Sequence, residues 1–160
     1  MNILIEGAPE RYQAYLPEFV PLARLSLTFC PLGSTNEERL ALCPDAEVFL
    51  VDAISTVDGD LIRRMPKLKM IHSEGVAFNG IDIHAARERC AFGSNNQGCN
   101  AGAVAEQAIF LILSLLRRGI PGDRAGREGR QIQMKEQAMG EGSTELGDCK
   151  IGLIGFGHIA

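Results

Sequence analysis

Short apolar runs alternate with segments of helical pattern through the first 90 residues of the chain. The runs predict strands at residues 2–5, 25–29, 47–51 and 68–72, and the segments between them predict helices at 10–23, 34–42, 58–65 and 81–89. Repeated strand–helix–strand units with apolar strands indicate an α/β fold, a parallel sheet with helices on both faces. Ligands of such sheets bind in the loops beyond the carboxyl ends of the strands.

A long apolar helix is predicted over residues 101–118. Its apolar residues, among them Val104, Ile109 and Leu115, occupy more than one face, so we expect the helix to be buried between domains or between subunits. The glycine-rich, polar segment that follows, with a short helix over 123–130, is interpreted as a connecting arm.

The C-terminal stretch KIGLIGFGHIA predicts a buried strand at 151–154 that runs into a glycine-rich turn. Gly155, Gly157 and Ala160 have the spacing G-x-G-x-x-A, in which the glycines allow a tight turn and a close approach of the backbone to a pyrophosphate. The alternative is an ordinary glycine turn of an α/β protein. The acidic residue that grips the ribose would stand ~20 residues further on, beyond these 160 residues.

A second candidate site is HSEGVAFNGID, directly after the fourth predicted strand. The amides of Gly75, Val76 and Ala77 could hold a small carboxylate, because consecutive backbone donors form an anion-binding concavity; a plain turn into the next helix is the alternative. His72 and Glu74 are two residues apart and would face the same way on a strand, which allows an acid–base pair or a structural histidine.

Composition narrows the class of protein. With 46% hydrophobic and 22% charged residues the chain is typical of a globular protein, and a net charge of −4 argues against nucleic acid or an anionic membrane as a partner. The N-terminus MNILIEG resembles a first strand and not a signal peptide. Five cysteines without a C-x-x-C pair indicate no metal site and favour a reduced, cytoplasmic location.

Three stretches, taken in order, resemble motifs of the D-isomer-specific 2-hydroxyacid dehydrogenase family. KLKMIHSEGVAFNGID is similar to the family's strand and G-V-G-x-D-N-I-D loop. NNQGCNAGAVAEQAIFLILSLLRR is similar to its N-x-P-G-x-N-x-x-x-V-A-E-H helix, and LGDCKIGLIGFGHIA to its L-x-G-K-x-x-G-I-I-G-x-G-x-I-G entry to the cofactor domain. Together they span most of residues 67–160, and the preceding units suit the family's flavodoxin-like substrate domain.

The resemblance implies a role for each matched position. Gly75, Val76 and Ala77 would hold the substrate carboxylate, Asn100 would contact the substrate, and Val104 would pack near the nicotinamide ring of NAD or NADP. The turn around the pyrophosphate would comprise Gly155, Phe156, Gly157, His158, Ile159 and Ala160. The implied domains are a flavodoxin-like substrate domain (1–98), a crossing helix with a dimerisation arm (99–147), and the first strand and glycine turn of a Rossmann domain (148–160).

The chain also departs from the family's pattern. Ala77 stands where glycine is usual, Asn79–Gly80 replaces an Asp–Asn pair, and Gln97 and Gln107 replace a proline and a histidine. Ser73 stands where phosphoglycerate-type members carry arginine. Because phosphate recognition favours arginine, this weakens the case for a phosphorylated substrate.

The implied activity is hydride transfer between NAD(P) and a small 2-hydroxy or 2-keto acid. The arginine, glutamate and histidine that act on the substrate in this family lie downstream of the matched motifs, so we expect these 160 residues to be part of a longer dehydrogenase and to be inactive alone. We also expect a homodimer. A non-catalytic ligand-binding or dimerisation module, like the family's corepressor relatives, and a formate dehydrogenase remain alternatives.

Overall fold

The computed structural model describes residues 1–13, 24–142 and 144–160, and they divide into two compact units, Met1–Gln97 and Gly98–Ala160. The first unit contains five parallel strands in the order β2-β1-β3-β4-β5. The strands are β1 Asn2–Glu6, β2 Ser26–Cys30, β3 Val48–Val51, β4 Met70–Ser73 and β5 Phe92–Asn95. The helices between them are α1 Pro9–Gln13, α2 Asn36–Leu42, α3 Gly59–Arg64 and α4 Ile83–Glu88. The α/β class and the parallel sheet predicted from the sequence are therefore confirmed.

The core of this unit lies against the central strands. Leu4 of β1, Phe49 of β3 and Ile71 of β4 are fully buried, together with residues of α3 such as Leu61 and Ile62. The apolar runs form strands because burial on both faces of a parallel sheet favours continuous Val, Ile, Leu and Phe. Adjacent strands are aligned so that all five carboxyl ends meet at one edge.

Side-chain caps fix the starts of three helices. The Thr35 hydroxyl accepts a hydrogen bond from the Glu38 amide, and the Glu38 carboxylate accepts one from the Thr35 amide, so the two residues form a capping box. Asp58 caps α3 and Asp82 caps α4 by accepting hydrogen bonds from backbone amides. These caps place the loops that precede each helix at the carboxyl edge of the sheet.

The described part of the second unit contains three α-helices, α5 Ala101–Leu116, α6 Gly119–Arg127 and α7 Gln131–Glu141, and a 3-10 helix at Leu146–Asp148. Instead of a connecting arm with one short helix over 123–130, residues 119–141 form two helices, and α7 was not predicted because it buries no side chain and has no apolar stripe. None of the helices that the structure describes is long and apolar enough to cross a membrane.

Two further predictions need correction or fall outside the described residues. Residues 151–154 form no strand, because a strand is stabilised by pairing and the described part of the second unit contains no strand beside them. Of the helix predicted at 10–23, α1 accounts for the first residues, and residues 14–23 lie outside the described part of the chain.

The end of α4 contains a residue in a strained backbone conformation. Cys90 has φ 54°, and the Cys90 and Ala91 amides donate to the carbonyls of Arg87 and Ala86 at 3.0 and 2.9 Å. This is the Schellman arrangement, in which glycine is the preferred residue at the left-handed position.

We expect Cys90→Gly to raise the free energy of unfolding by about 0.5–1 kcal/mol, because the left-handed cost of a Cβ exceeds the extra entropy that glycine gives the unfolded chain. Urea denaturation measures the change. Cys90→Ala, which removes the thiol but keeps the Cβ, is the control and should not show the gain. Equal stability of the two variants would contradict the assignment.

Candidate functional site

The loop after β4, residues 74–80, has its carbonyl groups held by neighbouring polar side chains and backbone. Asn96 anchors the start of the loop: its side-chain amide donates to the Glu74 carbonyl at 2.8 Å and its backbone amide donates to the Gly75 carbonyl at 2.9 Å. The Asn95 side chain donates to the Val76 carbonyl at 2.7 Å. The buried Ser73 hydroxyl donates to the Ala77 carbonyl at 2.5 Å. Four consecutive carbonyl groups are thus fixed by hydrogen bonds.

Unlike these carbonyl groups, the first three amide groups of the loop after Glu74 have no hydrogen-bond partner among the described residues. The amides of Gly75, Val76 and Ala77 donate no hydrogen bond to any residue within 1–13, 24–142 or 144–160. Val76 and Ala77 are exposed. Backbone donors that the protein does not pair must be satisfied by solvent or by a ligand. Three such donors in a row, on a loop whose carbonyls are fixed, can hold a carboxylate.

Two glycines let this loop lie directly on the loop after β3. A Cβ on Gly75 would stand 2.4 Å from the Cβ of Ala53, and a Cβ on Gly80 would stand 2.2 Å from the carbonyl oxygen of Ser55. Both separations are far below van der Waals contact. The backbone of the 74–80 loop is therefore positioned by its contact with residues 53–55.

Charged groups lie beside the loop, at the ends of β3 and β4. Arg11 pairs with Asp52 at 3.6 Å and with Glu74 at 3.3 Å, and the Tyr12 hydroxyl donates to the Glu74 carboxylate. Burial, and then the hydrogen bond to Glu74, raise the pKa of Tyr12 well above its ordinary value, so the hydroxyl keeps its proton at neutral pH. The Arg11 guanidinium faces two carboxylates and is electrostatically neutralised by them.

His72 and Glu74 do not form the acid–base pair that their spacing allowed. His72 lies on β4 with Nδ1 3.2 Å from the Ser94 hydroxyl, whereas Glu74 follows the strand and turns to Tyr12 and Arg11. The histidine therefore makes a polar contact across two strands, which agrees with the structural alternative.

The remaining predicted site residues lie in the second unit. Asn100 is the N-cap residue of α5, and its carbonyl accepts from the Val104 amide at 3.0 Å, one turn into the helix. Val104 is partly exposed. The apolar residues of α5 beyond Ala101 are not buried by the described residues of this chain, and their burial between domains or between subunits stays a prediction.

The glycine turn at residues 155–160 is exposed and forms neither strand nor helix. Gly155 has φ 91°, a conformation that suits the tight turn of a pyrophosphate-binding loop. The His158 ring packs over Gly98, where a Cβ would stand 3.3 Å from it. The helix N-terminus that would face a pyrophosphate is not formed here. The turn therefore has the glycine conformation of a dinucleotide-binding loop but lacks the strand and the helix that flank such a loop.

Sequence reasoning missed the side chains that hold the loop. Asn95 and Asn96 come from the end of β5, which was not predicted, and Tyr12 and Arg11 come from α1. The sequence did contain a signal for Asn95 and Asn96. Polar residues that follow successive parallel strands lie at the same edge of the sheet, where ligands bind.

Comparison with known proteins agrees with this fold. Residues 5–152 match the family model described as D-isomer specific 2-hydroxyacid dehydrogenase, catalytic domain. D-3-phosphoglycerate dehydrogenase of Archaeoglobus fulgidus is 32% identical over 127 residues, which are 79% of this chain and 23% of that protein. Hydroxypyruvate reductase of Thermotoga maritima is 31% identical over 124 residues, which are 78% of this chain and 39% of that protein.

A solved structure of D-2-hydroxyisocaproate dehydrogenase has the same fold, with a TM-score of 0.74 and 20% identity over 99% of this chain and 47% of that one. The chain thus spans less than half the length of these relatives. Since the family model covers nearly all of the sequence, the chain belongs to the D-isomer specific 2-hydroxyacid dehydrogenase family and corresponds to its catalytic domain.

Proposed function

We propose that the chain is the substrate-binding part of a dehydrogenase that transfers a hydride between NAD(P) and a small 2-hydroxy or 2-keto acid. The observation that carries this proposal is that the amides of Gly75, Val76 and Ala77 donate to no residue that the structure describes, on a loop whose carbonyls are fixed. In this role the amides bind and orient the substrate carboxylate, which sets the position of the carbon that exchanges the hydride. The family match to residues 5–152 supports the reaction class.

The nicotinamide cofactor would supply or accept the hydride when bound. The residues proposed to contribute to its site are Val104 and the glycine turn with Gly155, Phe156, Gly157, His158, Ile159 and Ala160. Asn100 is proposed to contact the substrate. None of these residues is proposed as a catalytic acid or base; we propose that the proton is exchanged by groups outside these 160 residues.

We propose a substrate without a phosphate group. Ser73 donates its hydroxyl to the Ala77 carbonyl and is buried, so it braces the loop and offers no cation to a ligand. Arg11 is held by Asp52 and Glu74. Both described partners of the Arg11 guanidinium are protein carboxylates, so it is already engaged and is not proposed to bind a substrate phosphate. Relatives of similar identity include both a D-3-phosphoglycerate dehydrogenase and a hydroxypyruvate reductase, so this proposal rests on Ser73 and Arg11.

The direct test is a titration of the isotope-labelled 160-residue chain with glyoxylate, the smallest 2-oxo acid, followed by amide NMR shifts. We expect saturable shifts at residues 75–77, with a Kd in roughly the millimolar range, as for a very small ligand held by a few hydrogen bonds. Glycolaldehyde, which lacks the carboxylate, is the matched control and should leave these amides unmoved.

The same preparation should not reduce glyoxylate with NADH or NADPH. Absence of shifts at residues 75–77 would contradict the binding role, and measurable turnover would contradict the assignment of the proton-exchanging groups to residues outside this chain.

We also propose a homodimer in which a second copy covers the apolar surface of α5. Ile109, Phe110 and Leu115 are 54, 59 and 80% exposed on one helix, which is more apolar surface than an isolated helix ordinarily leaves in water. Sedimentation velocity at micromolar concentration should show a dimer. Phe110→Glu should shift the population to monomer, while Ile54→Glu, at an exposed apolar position of the first unit, should not. A wild-type monomer would exclude the proposal.

A further inference from the structure

A buried ion pair, Glu6 with Arg39, connects the carboxyl end of β1 with the loops that follow β2 and β3. Glu6, the last residue of β1, is fully buried, and Arg39 of α2 is 4% exposed. Arg39 Nη2 lies 2.8 Å from Glu6 Oε1, and the guanidinium packs over the Phe49 ring. Glu6 Oε1 also accepts from the Gly33 amide in the loop after β2, at 3.1 Å.

The second arm of the Arg39 guanidinium reaches the loop after β3. Nη1 donates to the main-chain carbonyl of Thr56 at 2.8 Å. A guanidinium offers donors in a fixed planar fork, so the Glu6 contact and the Thr56 contact fix each other's direction. The position of Thr56 relative to the end of β1 is thereby set by one side chain.

From Thr56 the contact continues directly into the candidate carboxylate loop. Val57 and Ile81 form a parallel bridge, in which the Val57 amide donates to the Gly80 carbonyl and the Asp82 amide donates to the Val57 carbonyl, both at 2.9 Å. Ala53 and Ser55 of the same loop lie against Gly75 and Gly80 with no room for a Cβ. A shift of residues 53–57 must therefore shift residues 75–80.

Tyr12 connects the same strand end to the other end of the loop. Its hydroxyl donates to the Glu74 carboxylate and lies 3.2 Å from the main-chain carbonyl oxygen of Glu6. Tyr12 thus holds the beginning of the 74–80 loop beside the end of β1, and Arg39 holds the end of the loop through Thr56.

A buried ion pair is a poor way to gain stability. Removal of two charges from water offsets most of their attraction, and apolar residues of similar volume often stabilise a core as well or better. Here Glu6 Oε2 and Arg39 Nε have no hydrogen-bond partner among the residues that the structure describes. Unlike apolar side chains, the pair makes directional hydrogen bonds. These bonds fix the end of β1, the loop after β2 and the loop after β3 relative to one another.

We infer that Glu6 and Arg39, with Tyr12 as a second strut, are positioning residues that hold the amides of Gly75, Val76 and Ala77 in the geometry that binds a carboxylate. The inference rests on the proposed function, because it assigns these residues a role in substrate binding. They touch the loop and not the substrate.

The test compares glyoxylate binding by Arg39→Lys with that of the wild-type 160-residue chain, by amide NMR. Lysine keeps the positive charge beside Glu6 but lacks the rigid planar fork that fixes the directions of the Glu6 and Thr56 contacts relative to each other. We expect the amides of residues 75–77 to change in shift before ligand is added, and the Kd for glyoxylate to rise about fivefold or more, as expected when a hydrogen bond of ordinary strength is misaligned. Arg64→Lys, in an exposed ion pair with Glu37, is the matched control and should leave both unchanged.

Tyr12→Phe provides a second variant that does not disturb a buried charge. It removes only the hydroxyl and should also weaken glyoxylate binding while the sheet amides stay in place. Folded variants that bind glyoxylate like the wild type would overturn the positioning role and leave the carboxylate site intact. Failure of the wild type itself to shift residues 75–77 would instead overturn the proposed function, and the inference with it.

Discussion

Gly75→Ala is expected to lower the free energy of unfolding by about 2–3 kcal/mol, the cost of forcing an extra methyl group into a packed contact. The new Cβ would stand 2.4 Å from the Cβ of Ala53, whereas carbon atoms pack favourably at roughly 3.5–4.0 Å. The backbone of one of the two loops must move. Because the moved loop contains the amides proposed to bind the carboxylate, the variant should also lose its glyoxylate-induced shifts.

A compensating substitution makes this prediction specific. Ala53→Gly removes the atom that the new methyl group would meet, so the double variant Ala53→Gly/Gly75→Ala should recover most of the stability and the binding. The coupling between the two sites should exceed about 1 kcal/mol, as for residues in direct contact. Gly93→Ala is the control, since a Cβ there meets nothing within 4 Å. If the double variant is no better than Gly75→Ala, the clash is not the cause.

The elements with strong local signals could be predicted from the sequence. The Thr35–Glu38 spacing and the apolar runs of β1 and β3 each favour one local structure, and the fold contains all three. In contrast, β5 consists of Phe92, Gly93, Ser94 and Asn95, which have little apolar character as a group. It is a strand because β4 pairs with it, and such pairing is a tertiary effect.

The candidate site shows the same division. The amides of residues 75–77 could be identified because a glycine-containing loop follows a predicted strand. Their supports could not: Asn95 and Asn96 depend on the position of β5, and Arg39 meets Glu6 across 33 residues of chain. Contacts of this kind depend on strand order and register, which no local pattern in these segments specifies.

Arg39→Leu is expected to lower the free energy of unfolding by about 3–5 kcal/mol, because it leaves Glu6 as a buried carboxylate without its counter-ion. The Glu6 side chain is fully buried, and its remaining described partner is the Gly33 amide. The Thr56 carbonyl loses its donor as well. Urea denaturation followed by circular dichroism measures the change.

The double variant Glu6→Met/Arg39→Leu separates the charge from the contacts. If the unpaired charge causes the loss, the double variant should be clearly more stable than Arg39→Leu alone, since apolar residues can replace a buried pair at little cost. Arg64→Leu removes an arginine from an exposed pair at 2.6 Å and should change stability little, because water screens that interaction. A double variant as unstable as Arg39→Leu would mean that the lost hydrogen bonds to Gly33 and Thr56 outweigh the charge. A stable double variant that still fails to bind glyoxylate would show that stability and loop geometry are separate properties of this pair.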